Sequence, residues 1–242
     1  METLANFDFL SSNVFYQDQK DKHIFTPYKI IKKGNVTLGF IGLASNPPVL
    51  LENLKVKNPV DTYKKVYKEI KDQCDYVIAV IALNSTDEYS LISSDIKTDL
   101  IISANQYRYS KYLNNEKGYI YGMTDNEGKK IMKISGLVED KTKTFGNASY
   151  LQYSYMINNK RLDRYKKIAG DKTIDEHYKD QAKVLKTVNN IRKRQVEISN
   201  DIEVLKNPLT LEVIEIEINT KMEETVKEKM DQYKELLKSL DK

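Results

Sequence analysis

The side chains best placed for chemistry form two short polar runs, each following an apolar segment. Asn84-Ser85-Thr86-Asp87-Glu88 follows Tyr76–Leu83, and Asn105-Gln106-Tyr107-Arg108 follows Leu100–Ile102. Open α/β sheets place their ligand crevices beyond the carboxyl ends of their strands, so amides, carboxylates and a guanidinium there can hold a small polar molecule or a peptide. Asn84, Asp87, Glu88, Asn105 and Arg108 are therefore the candidate pocket. An ordinary solvated loop surface is the competing reading.

The remaining reactive groups point away from catalysis. Of the two histidines, His23 lies in a polar turn and reads as a surface residue, while His177 falls on a helical seam and reads as a packed or pH-sensitive residue. Neither has a second histidine or an acidic partner at metal-ligand spacing. Ser11-Ser12-Asn13 and Ser93-Ser94-Asp95 lack a nearby general base, which a serine nucleophile needs. Gly118, Gly122 and Gly128 form no phosphate loop, and Gly39 and Gly42 inside an apolar run predict close packing or a bend. The lone Cys74, just before an apolar run, excludes an intrachain disulfide and reads as a structural thiol.

Charge narrows the partners. The 39 basic and 35 acidic residues nearly cancel, leaving +4. That balance gives no concentrated basic face for nucleic acid. Arg192-Lys193-Arg194 is followed by Glu197, Asp201 and Glu203, as on a solvated helix flank, and Tyr107-Arg108-Tyr109 is too short for a stacking platform. No apolar run approaches the ~20 residues of a membrane span. The start, Met1-Glu2-Thr3-Leu4, lacks a signal-peptide pattern, so this sequence assigns no compartment.

The elements that must position these groups follow from periodicity. Phe25–Ile31 and Val36–Leu43 read as strands around a Lys33-Gly34-Asn35 turn, and residues 6–14 before them look like a strand of the family resembled below. Asn46-Pro47-Pro48 breaks the chain, and Asp61 is the expected cap of a helix with Tyr63, Val66, Tyr67 and Ile70 on one face. Tyr76–Leu83 is a nearly continuous apolar run, the mark of a strand buried on both faces. Strand and helix then alternate, which implies parallel crossovers and an α/β sheet. Further on, Gly118–Thr124 and Lys129–Val138 flank a turn at Asp125–Gly128 as an antiparallel ribbon, and Ala148–Ile157 reads as another strand.

The last third changes character. Ile174, His177, Gln181, Val184, Val188, Ile191, Gln195, Ile198, Ile202 and Leu205 recur three and four apart, predicting one long coiled-coil-like helix ended by Asn207-Pro208. Leu209–Ile218 alternates as a strand, and a final helix carries Val226, Met230, Tyr233, Leu237 and Leu240. Two segments are expected: 1–160 as an α/β domain and 161–242 as long helix, short strand and terminal helix. The seam of Val184, Val188, Ile191, Ile198, Ile202 and Leu205 is the expected interface. The final helix is its expected intramolecular mate, with the excess length left for a protein partner or a second copy.

Val36–Leu43, Asp75–Asn84 and Thr98–Tyr107 also resemble the second half of the calcineurin-like metallophosphoesterases of the bacterial 5′-nucleotidase type. There the segments read roughly VGxIGL, DxVIxLSHLG and DLIIGGHSH, and the histidines serve a two-metal centre. The resemblance implies an α/β (α+β) fold: a partial metallophosphoesterase-like sandwich with a long helical protrusion, and exposed sheet surface where the family's first half would lie. Ala82 stands at the first histidine position, and Asn105 and Tyr107 at the other two. The family's Asp-x-His and Asn-His-Glu motifs have no counterpart here. No cofactor or metal is therefore expected, beyond one weak cation at Asp87 and Glu88. A non-catalytic binding or scaffolding domain is the leading expectation. A C-terminal fragment of a 5′-nucleotidase-like hydrolase and a coiled-coil adaptor are the alternatives. Relatives are often exported to the periplasm.

Overall fold

The computed structural model describes residues 8–19, 21–46, 53–106, 109–125 and 128–216, together with Glu224 and Glu228. The terminal seam residues Val226, Met230, Tyr233, Leu237 and Leu240, Pro47-Pro48, and the pair Tyr107 and Arg108 lie outside the described residues.

A mixed sheet of six strands forms the centre, in the order β2-β3-β5-β6-β8-β7. Its members are β2 (Tyr28–Lys33), β3 (Val36–Ala44), β5 (Tyr76–Ala82), β6 (Leu100–Gln106), β7 (Asn114–Glu116) and β8 (Tyr119–Asp125). The β2–β3 hairpin turns at Gly34, whose φ of 62° suits a residue without Cβ. The neighbours β3, β5 and β6 run parallel, as the apolar runs predict, and β8 extends the parallel set beside β6, where an antiparallel ribbon is expected. A separate pair, β1 (Val14–Tyr16) with β4 (Leu54–Val56), lies upstream, so the predicted 6–14 strand is shorter and later.

Each face of the central sheet meets a different cover. Helices α1 (Pro59–Ile70) and α2 (Ser85–Ser93) place Tyr63, Val66, Ile70 and Leu91 against Ile41, Val77, Ala79, Ile81 and Ile101. Asn58, not Asp61, caps α1: its Oδ1 accepts from the Asp61 N–H at 3.0 Å, and Pro59 fills the first helical position. Proline there has no N–H to leave unpaired, which moves the start three residues upstream of the expected cap.

The other face receives a three-stranded sheet, β10 (Gly146–Asn147), β11 (Pro208–Glu215) and β9 (Lys130–Gly136), in the order β10-β11-β9. Ile78, Leu100 and Ile120 pack there with Leu209, Leu211 and Ile134. The expected ribbon between 118 and 138 does not form. Strand β8 pairs with β6 and β7, whereas β9 pairs with β11 from residue 130 onward. The chain thus crosses between sheets at the turn, because both faces of β5 and β6 need apolar cover.

Asn207 ties this second sheet to the first. Fully buried at φ 47°, its Oδ1 accepts from Glu139 N (2.8 Å) and Asp140 N (3.0 Å). Its Nδ2 donates to the Tyr76 hydroxyl and to the carbonyls of Asp140 and Lys143 at 2.6–2.8 Å. Asparagine tolerates the left-handed region because its amide bonds locally.

The last third differs most from the periodicity. Ala148–Ile157 is not a strand but the first half of α3 (Ala148–Ala169). The cap Asn147 starts it, and Tyr150 and Tyr153, one helical turn apart, both pack on Tyr112, an arrangement a strand would split between two faces. Residue 160, the expected segment boundary, falls inside this helix. The long seam is broken too: α4 (Ile174–His177) ends before Tyr178, which is buried, and α5 (Ala182–Val204) begins afresh. His177 is exposed, not packed on the seam.

Helix α5 packs against α3. Val188, Ile191 and Ile198 are buried, and Val184, Ile202 and Leu205 half-buried. The seam is thus covered largely within the chain, by a segment expected to be strand. Arg192 pairs with Asp175, and Arg194 with Glu197, which accounts for the basic cluster.

Replacing Asn207 with alanine breaks five hydrogen bonds of a fully buried amide, one of them to the buried Tyr76 hydroxyl. Stability should fall by about 3 kcal/mol in urea unfolding, since each orphaned group costs ~1–3 kcal/mol. A loss below about 0.5 kcal/mol would remove Asn207 from this role.

Candidate functional site

The candidate pocket sits at the carboxyl ends of β3 and β5, where Ala44 and Ala82 are register partners. Two methyl groups thus lie side by side at the strand ends. Ala82 is exposed, and Val80, two residues earlier on the same face, is 37% exposed.

Around these strand ends the polar groups satisfy one another. Asn84 caps α2, its Oδ1 accepting from Asp87 N at 2.9 Å. Asp87 Oδ2 accepts from Asn84 Nδ2 at 3.0 Å and from Ser45 Oγ at 2.5 Å, and Ser45 Oγ accepts in turn from Asn84 N at 2.8 Å. Ser45 was not singled out from sequence; its only signal was its place just past the end of the Val36–Leu43 run.

Asn13 also escaped the sequence reading. It is fully buried, donates to the carbonyls of Ala44 (2.7 Å) and Lys57 (3.0 Å), and accepts from Ala44 N at 2.9 Å. Ser12, beside it, donates to the Pro27 carbonyl. The Ser11-Ser12-Asn13 run is therefore a clasp on the end of β3. Gly42 fits the same clasp, since a Cβ there would strike the Leu10 carbonyl.

Glu88 leaves the pocket altogether. It is 6% exposed and accepts a hydrogen bond from the Tyr121 hydroxyl on β8. Burial, then the Glu88 contact, pushes the Tyr121 hydroxyl pKa up. Asp87 and Glu88 diverge in this way because they are successive residues of a helix whose opposite sides meet Ser45 and the sheet. The weak cation site expected at this pair therefore lacks converging carboxylates. Backbone at Asn105 belongs to β6, and Arg108, with Tyr107, lies outside the described residues. The structure thus brings together Asn84 and Asp87 with Ser45, and separates Glu88 from them.

Two further groups differ from expectation. His23 is half-buried against the Phe15 ring, with centroids 4.2 Å apart, so it is not a simple surface residue. Burial, then Lys57, lowers its pKa. Cys74 is half-buried beneath Gly39, where a Cβ would lie 2.7 Å from its Sγ, and burial raises the thiol pKa. No group of three His, Cys, Asp or Glu side chains is gathered to hold a metal among the described residues.

Between the two sheets opens an apolar cleft of about 500 Å³. Leu38, Phe40, Ile78, Ile102, Ile134 and Leu137 line it, with Lys33 at one rim. The second sheet covers β6 and β8 and leaves this part of β3 and β5 open.

This arrangement defines the calcineurin-like metallophosphoesterase fold in partial form. One solved structure bears the fold out. The sulfate thiohydrolase SoxB of Thermus thermophilus, in complex with glycerol, superposes with a TM-score of 0.50 at 17% identity, covering 55% of this chain and 26% of that one. The NAD nucleotidase of Haemophilus influenzae covers 58% and 34% at 14% identity and a TM-score of 0.47. A 5′-nucleotidase precursor from Thermus thermophilus covers 59% and 32% at 18% identity and 0.42. The chain thus spans a quarter to a third of the length of these proteins. No family model and no curated protein matches the sequence.

Tyr121→Phe removes the hydroxyl donor from buried Glu88. It should cost about 1–3 kcal/mol in chemical unfolding, while leaving far-UV circular dichroism unchanged. An unchanged midpoint would show that Glu88 draws nothing from Tyr121.

Proposed function

We propose that this chain is a non-catalytic domain of metallophosphoesterase fold, serving binding or scaffolding. The observation that carries the reading is the donor set at the strand ends. Ala82 and Ala44 supply no ligand atom, Asp87 is held by Ser45 and Asn84, and Glu88 is turned into the core. A two-metal hydrolase needs carboxylate, imidazole and amide ligands converging on cations about 3.5–4 Å apart. The residues present do not fit that group, so no hydrolytic step is derived through it. No helix among the described residues is long and apolar enough to cross a membrane.

A second reading is a C-terminal fragment of a metal-dependent phosphoester hydrolase of the 5′-nucleotidase kind. Its favouring observation is the partial span, 26% of SoxB, which leaves ligand-bearing residues to another part of a longer assembly. Turnover of bis-p-nitrophenyl phosphate and of nucleoside monophosphates, with and without added Mn²⁺ or Zn²⁺, separates the two. The non-catalytic reading predicts no hydrolysis above buffer and no effect of chelator. Chelator-sensitive turnover by the purified chain overturns it.

A further inference from the structure

The free edge of β9 stands over the apolar cleft, and its hydrogen-bonding phase can be read from the ladder. Leu137 N donates to Pro208 O and Ile216 N to Lys129 O, so the odd-numbered residues of β9 bond to β11. In an antiparallel pair the alternate residues direct N–H and C=O to the opposite side. Met132, Ile134 and Gly136 therefore present their backbone groups to the other edge. No strand among the described residues pairs there.

Met132 and Ile134 point their side chains toward the central sheet: Ile134 packs on the buried cluster of Ile78, Leu100 and Ile120 and lines the cleft with Leu38 and Phe40. A strand laid along this edge would extend the second sheet over the open part of β3 and β5. Its alternate side chains would drop into the cleft onto Leu38, Phe40 and Ile102. An unpaired edge over an apolar trough is the arrangement by which sheets capture extended peptides, with the backbone supplying affinity and the trough selecting side chains.

Charge selects the occupant further. Lys33 lines the rim at the β2–β3 turn, is exposed, and has no carboxylate partner within 4 Å among the described residues. The edge of β9 carries no acidic residue between Lys130 and Gly136. A strand with apolar residues at every second position and a carboxylate at the end near Lys33 complements both features.

We propose that the cleft and the β9 edge form a docking site for an extended polypeptide segment of another protein, apolar at alternate positions and acidic at one end. This rests on the binding role proposed above and names the kind of partner. Adding a strand to β9 pairs exposed backbone groups and buries apolar side chains in one step. A globular partner or a helix could use the trough but not the edge.

The test uses the full chain and a nine-residue peptide of alternating valine and threonine ending in two glutamates. Titration calorimetry should detect binding, and hydrogen exchange should show slowed amides at Ile134 and Gly136 when peptide is present. Ile134→Pro deletes one edge N–H that β11 does not use, so it should weaken binding at least tenfold. Lys33→Glu, on an exposed rim, should weaken the acidic peptide several-fold and favour a lysine-ended peptide instead. Because Lys33→Glu leaves the core untouched, it keeps the test decisive should Ile134→Pro impair folding.

Absence of binding at millimolar peptide overturns the proposal, as does binding indifferent to both substitutions. So does saturation of the cleft by decanoate with no peptide bound, or self-association through β9 in sedimentation. None of these bears on hydrolysis, so failure here stays distinct from chelator-sensitive turnover, which alone would overturn the non-catalytic reading.

Discussion

The structure depends on the burial of its parallel strands from both sides. Val77, Ile78, Ala79 and Ile81 of β5 are all buried, and such a strand is stable only if both faces of its sheet are covered. Helices α1 and α2 supply one cover, and the sheet of β9, β10 and β11 supplies most of the other. This second cover comes from distant parts of the sequence, so it must be located as well as packed. Asn207 does the locating: one buried side chain joins the entry to β11, the loop around Asp140–Lys143 and the hydroxyl of Tyr76. The Tyr76 ring lies against Phe145, with centroids 4.1 Å apart, and closes the same junction.

That economy of cover also explains the site. Loops beyond strand ends can carry ligands only where their side chains are not engaged in holding the fold. Here the loops are spent on structure. Asn84, Asp87 and Ser45 start α2 and anchor it to β3, Asn13 clasps the end of β3, and Glu88 joins α2 to β8 through Tyr121. What also remains open is the apolar trough between the two sheets, along Leu38 and Phe40 of β3.

Much of this was legible in the sequence. Period and composition predict β3, β5 and β6 as buried parallel strands, and α1 by the spacing of Tyr63, Val66 and Ile70. Gly42 predicts a close approach, which Leu10 makes. The failures have physical causes. Ala148–Ile157 alternates over a few residues, but its tyrosines pack one helical turn apart on Tyr112, and tertiary packing overrides so short a pattern. The Asp125–Gly128 turn is a sound local signal for a hairpin, yet it cannot say which sheet the second strand will join. The heptad spacing through 178–181 survives in the sequence although Tyr178 turns inward onto Tyr165 and ends the short helix before it. Of the site, Asn84 and Asp87 were legible because they follow a strand. Ser45 and Asn13 were not, because their roles come from contacts across 31 to 44 residues of sequence.

Anomalous diffraction from crystals grown with millimolar Mn²⁺ tests the central claim most directly, that the strand ends hold structure and not metal. The account predicts no manganese peak within coordination distance of the carboxyl ends of β3, β5 and β6, with Asp87 still bonded to Ser45 and Asn84. A peak of high occupancy there, with Asp87 swung away from Ser45 to meet it, would contradict it.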